Sequence, residues 1–121
     1  MSTYTYHLVQ SPKIILVSGT EQQAQRVEMK ADNNLVGWAD FVIDNGWSKF
    51  TEFAIDENHR SEENGMAFIR AVYGLVPEPK KTFWWSATPS MKKYFDLITA
   101  ERPDMTFAAG GAINRIARAT A

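Results

Sequence analysis

From Gln23 to Ala31 the chain reads QAQRVEMKA, which sets Gln23, Gln25, Val27, Met29 and Ala31 against Ala24, Arg26, Glu28 and Lys30 at a spacing of two. Only an extended backbone sends alternate side chains to opposite faces, so this segment predicts a strand with one solvated side. The residues before it agree. TYTYHLV (3–9) alternates in the same way, Ser11-Pro12 interrupts, and KIILV (13–17) is dense in β-branched side chains. Ser18-Gly19-Thr20-Glu21 reads as a turn, so the opening third predicts an antiparallel meander.

The period then changes. Asp32 stands where a helix N-cap belongs, and Leu35, Trp38, Ala39 and Val42 come after it at i, i+3, i+4 and i+7. Asn45-Gly46 supplies a left-handed stop, so the spacing predicts a helix between residues 32 and 45. WSKFTEFAI (47–55) predicts a strand with aromatics on both faces. Ser61 ahead of Glu62 and Glu63 predicts a helix entry, because acids favour the positive end of the helix dipole. Met66, Ile69, Val72 and Tyr73 share one face of that helix and Phe68 lies off it, which predicts burial on more than one side. LVPEP closes it, since a residue before proline resists the α region.

KTFWWSA is the next expected strand, and Thr88-Pro89 opens a helix carrying Met91, Tyr94, Phe95 and Ile98 on one face. After RPD, MTFAA reads as a short strand, and beyond Gly110-Gly111 the residues Ile113, Ile116 and Ala117 line one side of a last helix. The expected class is α+β over one domain spanning residues 1–121. Antiparallel N-terminal strands precede alternating helices and strands, which form one mixed sheet with helices packed on it. A three-layer α/β arrangement is the alternative.

Forty-five per cent hydrophobic and 22% charged residues fit a globular chain rather than a disordered one. The absence of cysteine excludes disulfides and thiolate metal sites, and with no signal-like or membrane-length apolar run the expected setting is the cytoplasm. Net charge is only −1, yet residues 21–63 carry ten acids against Arg26, Lys30, Lys49 and Arg60, while residues 80–121 carry seven bases against three acids. A molecule with two signs can dock through complementary patches.

The segment KKTFWWSATPSMKKYF (80–95) sets two indoles between two lysine pairs. If 81–86 is a strand, Trp84 and Trp85 point to opposite faces, and one cannot join its neighbour's core layer. The candidate binding patch is therefore Trp84, facing water, with Lys81, Lys92 and Lys93, because exposed tryptophans concentrate binding energy. DENHRSEEN (56–64) is the polar cluster that most looks like a site. Glu57, His59 and Glu62 are its candidate acid/base or metal-binding set. His7 reads as half-buried packing. No HExxH, H-x-E, EF-hand, G-x-G-x-x-G or P-loop spacing occurs, so no catalytic residue, metal or cofactor is assigned.

The function expected is that of a small non-enzymatic interaction protein (an adaptor, inhibitor or assembly factor) holding a protein partner on the aromatic and basic patch. The acidic stretch 56–63 is a possible second surface. The alternatives are a single-stranded nucleic-acid binding module using the same aromatics and lysines, or a small enzyme using the 56–63 cluster. No membrane partner is expected. Self-association through an edge strand of the meander is open.

Overall fold

The computed structural model describes residues 3–17, 19–77, 81–84, 92–104 and 106–109. Four strands come first: β1 (Tyr4–Val17), β2 (Thr20–Ala31), β3 (Asn34–Asp44) and β4 (Trp47–Ile55). A 3-10 turn (Glu57–His59) leads into α1 (Glu62–Leu75), then β5 (Lys81–Trp84), α2 (Lys92–Glu101) and β6 (Thr106–Ala109). The strands lie in chain order in one sheet. Pairing is antiparallel from β1 to β4 and parallel from β4 through β5 to β6, so each helix serves as the crossover between parallel strands. This mostly antiparallel mixed sheet with two helices fits a small α+β fold. Among the described residues no helix is long and apolar enough to cross a membrane.

The helix expected over 32–45 is a strand. Asp32 and Asn33 both have positive φ (52° and 70°), as do Asn45 and Gly46 (53° and 78°), which is the signature of type I′ two-residue turns. These turns join Ala31 to Asn34 and Asp44 to Trp47 across tight hairpins. The two strands expected at 3–9 and 13–17 are one strand whose pairing slips between Gln10 and Ile14, around Ser11-Pro12. There Pro12, which has no N–H to give, occupies the sheet's outer edge. Strand β4 matches its expected span.

One face of the sheet carries the main core. Val27 and Met29 of β2, Ala39 and Phe41 of β3, Phe50 of β4 and Trp84 of β5 meet Met66, Phe68, Ile69, Val72 and Tyr73 of α1 and Ile98 of α2. Both described helices share this cluster, so among the described residues the layers are two rather than three. Phe68, off the expected helical face, is fully buried and stacks against Phe53 and Tyr6 at ring separations of 5.1 and 5.8 Å. Ser61 caps α1 as its position implied, its Oγ accepting the Asn64 N–H at 3.1 Å. The final helix expected beyond Gly110, the Thr88-Pro89 helix start and Trp85 lie outside the described residues.

Gly37 is a point of close approach within this core. A Cβ there would stand 2.9 Å from the Ala54 carbonyl oxygen and 3.2 Å from the Phe68 ring. We expect Gly37→Ala to destabilise the protein by about 1–3 kcal/mol through overpacking. Gly74→Ala, with nothing within 4 Å on exposed helix surface, should instead gain several tenths of a kcal/mol. Urea unfolding of the two variants checks both signs.

Candidate functional site

The indole at position 84 points into the core. Trp84 is 2% exposed, lies parallel to Phe50 at 4.1 Å and meets Phe53 edge-on at 5.7 Å. Its N–H donates to the Tyr73 hydroxyl (3.2 Å), which shares a second hydrogen bond with the Thr82 hydroxyl at 3.1 Å. Burial pushes the Tyr73 phenol up to about 12, against the pull of the Thr82 and Trp84 bonds. The expectation of an outward-facing Trp84 is therefore overturned. Central position in a sheet covered by α1 decides the matter, and an indole whose one donor is satisfied internally has nothing left to offer a partner.

The lysines do not assemble around it either. Lys81 is exposed where β5 begins, at the opposite end of that strand from Trp84. Lys93, in the first turn of α2, pairs with Glu62 at 2.9 Å. The side chain of Lys92 lies outside the described residues.

The 56–63 cluster is brought together only in part. His59 Nδ1 lies 2.9 Å from the Tyr4 hydroxyl, and the Tyr4 ring meets the imidazole edge-on. The Asn64 amide donates to both the His59 carbonyl (2.7 Å) and the Tyr4 oxygen (3.2 Å). The carbonyl bond fixes which end of the amide is nitrogen, so the Tyr4 oxygen accepts from Asn64. His59 thus ties the 3-10 turn to β1, with Glu57 exposed beside it and Glu62 turned to Lys93. Among the described residues no three His, Asp or Glu side chains gather as a metal-holding group.

The opposite face of the sheet holds a charge network that the sequence did not single out. Asp40 is fully buried and receives Arg26 Nε at 2.6 Å and Nη2 at 3.1 Å. The Lys13 ammonium reaches across β2 to Asp40 (3.3 Å) and to Glu52 (2.6 Å). The Trp38 indole N–H donates to the other Glu52 oxygen, and the Arg26 guanidinium sits 5.4 Å above the Trp38 ring. Burial alone would raise the Asp40 carboxyl, but bonds from Arg26, Ser11 and Lys13 outweigh it and hold it below the ordinary value. Lys13 and then Trp38 lower Glu52 likewise. The available signal was the two-residue spacing itself, which places Arg26 directly across from Asp40 once β2 pairs with β3.

This network braces one wall of a shallow cleft of about 430 Å³, lined by Leu35, Val36 and Trp38 of β3, Ala54 and Ile55 of β4, and Asp56, Glu57 and Arg60 beyond. Its floor is apolar. Leu35 is 44% exposed there, and Trp38 is half-buried with its N–H already engaged. The rim is polar and set by the backbone: the Asp56 N–H donates to the Val36 carbonyl at 2.7 Å, which stations the exposed Asp56 and Glu57 carboxylates beside the opening. Arg60 is committed to the Ile55 carbonyl, through Nε at 3.3 Å and Nη2 at 3.0 Å. Comparison with protein-family models, with curated proteins and with solved structures returns no match.

Proposed function

We propose that the chain is a small interaction domain whose partner-binding surface is the cleft between the start of β3, the end of β4 and the 3-10 turn. This keeps the protein-binding reading and moves it from the Trp84 patch to the acidic 56–63 surface. The observation that carries it is an apolar floor with an exposed leucine and a braced tryptophan, beneath two carboxylates. Such a shape suits a segment that inserts one apolar side chain and lays a lysine or arginine across Asp56 and Glu57. The rigid floor supplies contact area at little ordering cost, and the carboxylates supply register and rate of encounter.

The test is selection from a displayed library of random peptides of about twelve residues. Selected sequences should carry an apolar residue next to a basic one, and should bind at least tenfold more weakly to Leu35→Glu and to the double variant Asp56→Lys/Glu57→Lys. All three altered positions are exposed, so melting temperatures should move little. Peptides that bind these variants as well as the parent, or a library that yields none, would refute the assignment.

A further inference from the structure

The outer side of β1 forms an edge of the sheet. Edge strands are normally guarded by proline, irregular pairing or an outward charge. Here proline and irregular pairing sit together in the middle of the strand, at Pro12 and the slip between Gln10 and Ile14. The Lys13 ammonium is turned inward onto Asp40 and Glu52 and does not guard the edge. The last four residues of the strand, Ile14–Val17, are all apolar, with Ile14 62% and Leu16 69% exposed.

We infer that Ile14–Val17 is a self-pairing edge, through which two copies of the chain join antiparallel about a two-fold axis at Ile15. Two independent features of the segment fit this occupant. The first is hydrogen-bond phase. Val17 and Thr20 flank a two-residue loop, and the pair closing such a loop exchanges backbone bonds. Alternation then assigns the groups of Ile15 to β2 as well and leaves those of Ile14 and Leu16 facing away from the sheet. With Ile15 opposite its copy, Ile14 faces Leu16 of the second chain in a bonded pair on each side of the axis, so all four outward groups are satisfied twice over.

The second feature is side-chain parity. Ile14 and Leu16 share one face, so the same register gathers both residues of both copies into a single apolar cluster. Ile15 and Val17 lie on the other face, packed with Ala24 and Val42. An interface of this length falls below the usual area of a stable complex, so the dimer is weak, with a dissociation constant on the order of 0.1 mM. It forms at the Val17–Thr20 end of the hairpin, away from the cleft near Leu35, so both clefts stay open and the pair is bivalent.

Sedimentation equilibrium from roughly 5 to 500 µM should show the mass rising toward that of two chains. Leu16→Lys should remain monomeric across the range with an unchanged circular dichroism spectrum, since position 16 is solvated in the single chain. The chain has no cysteine, so register can be read by oxidation. Ile15→Cys meets its copy in a non-bonded pair, where Cα atoms come within disulfide range, and should crosslink at least tenfold faster than Ile14→Cys or the remote Leu97→Cys. A parent chain that stays monomeric at the highest concentration overturns the inference. So does a dimer that survives Leu16→Lys, or one in which Leu97→Cys crosslinks as fast as Ile15→Cys.

Discussion

Trp84→Ala should lower stability by about 3–5 kcal/mol, the range for truncating a large buried aromatic, and drop Tm by roughly 10 °C or more. The loss has two parts. Removing the indole empties the space between Phe50 and Phe53, which hold it at ring separations of 4.1 and 5.7 Å. It also takes away the donor to Tyr73, leaving the phenol oxygen with the Thr82 bond alone in a dry site. Trp84→Phe separates the two parts, because it keeps most of the stack and loses only the N–H. We expect it to cost about 1–2 kcal/mol. Lys81→Ala, three residues away on the same strand but exposed, should stay within about 0.5 kcal/mol. Denaturant unfolding of the three variants measures all of this, and a near-neutral Trp84→Ala would show that the indole is not a core residue.

That ordering reverses what the local sequence suggests, and the reason lies in what alternation can tell. The KTFWW run fixes that Trp84 and Trp85 point to opposite sides. It does not say which side a helix covers. That depends on where α1 lands, and α1 returns over the face carrying Thr82 and Trp84. The proposed cleft was illegible for a similar reason. Leu35, Trp38, Ala54 and Asp56 are scattered along the chain and become neighbours only when β3 and β4 pair with Trp38 opposite Ala54.

Elements with unambiguous local chemistry were legible. Strand β4 carries β-formers between an Asn-Gly turn and a polar stretch, and α1 has its serine cap ahead of two acids. Strand β3 was misread because it is buried on both faces. Val36, Ala39, Asp40, Phe41 and Val42 are all enclosed, so polar–apolar alternation vanishes and a helix-like spacing of Leu35, Trp38, Ala39 and Val42 is left. Two irregularities in its pairing, beside Met29/Lys30 and at Asp40/Phe41, blur the period further. The overlooked signal was the turn chemistry. Asp32-Asn33 and Asn45-Gly46 bracket the segment, and residues that tolerate positive φ at both ends are the mark of a strand between two hairpins.

The second large effect is expected at Asp40. Its carboxylate is enclosed with Arg26, which is itself nearly buried, so removing one partner strands the other charge in a poorly solvated place. Asp40→Asn should cost about 3–5 kcal/mol, whereas replacing both partners with apolar residues, Arg26→Met with Asp40→Leu, should cost clearly less than the two single changes added together. The Lys13–Glu52 pair is over a third exposed at both ends, so its own contribution is small and screened by salt. The pH dependence has a definite sign. Asp40 and Glu52 have carboxyls lowered on folding, so the stability they lend is complete above the unfolded values of about 4 and disappears as pH falls through the lower folded values. Lys13 is raised by its bond to Glu52, so its share holds below about 10.4 and is lost in more alkaline solution. Unfolding free energy should therefore decline below roughly pH 4 in the parent and decline much less steeply in Arg26→Met/Asp40→Leu, in which the Asp40 carboxyl is gone. Equal acid slopes in the two proteins would mean that the buried pair does not govern acid unfolding.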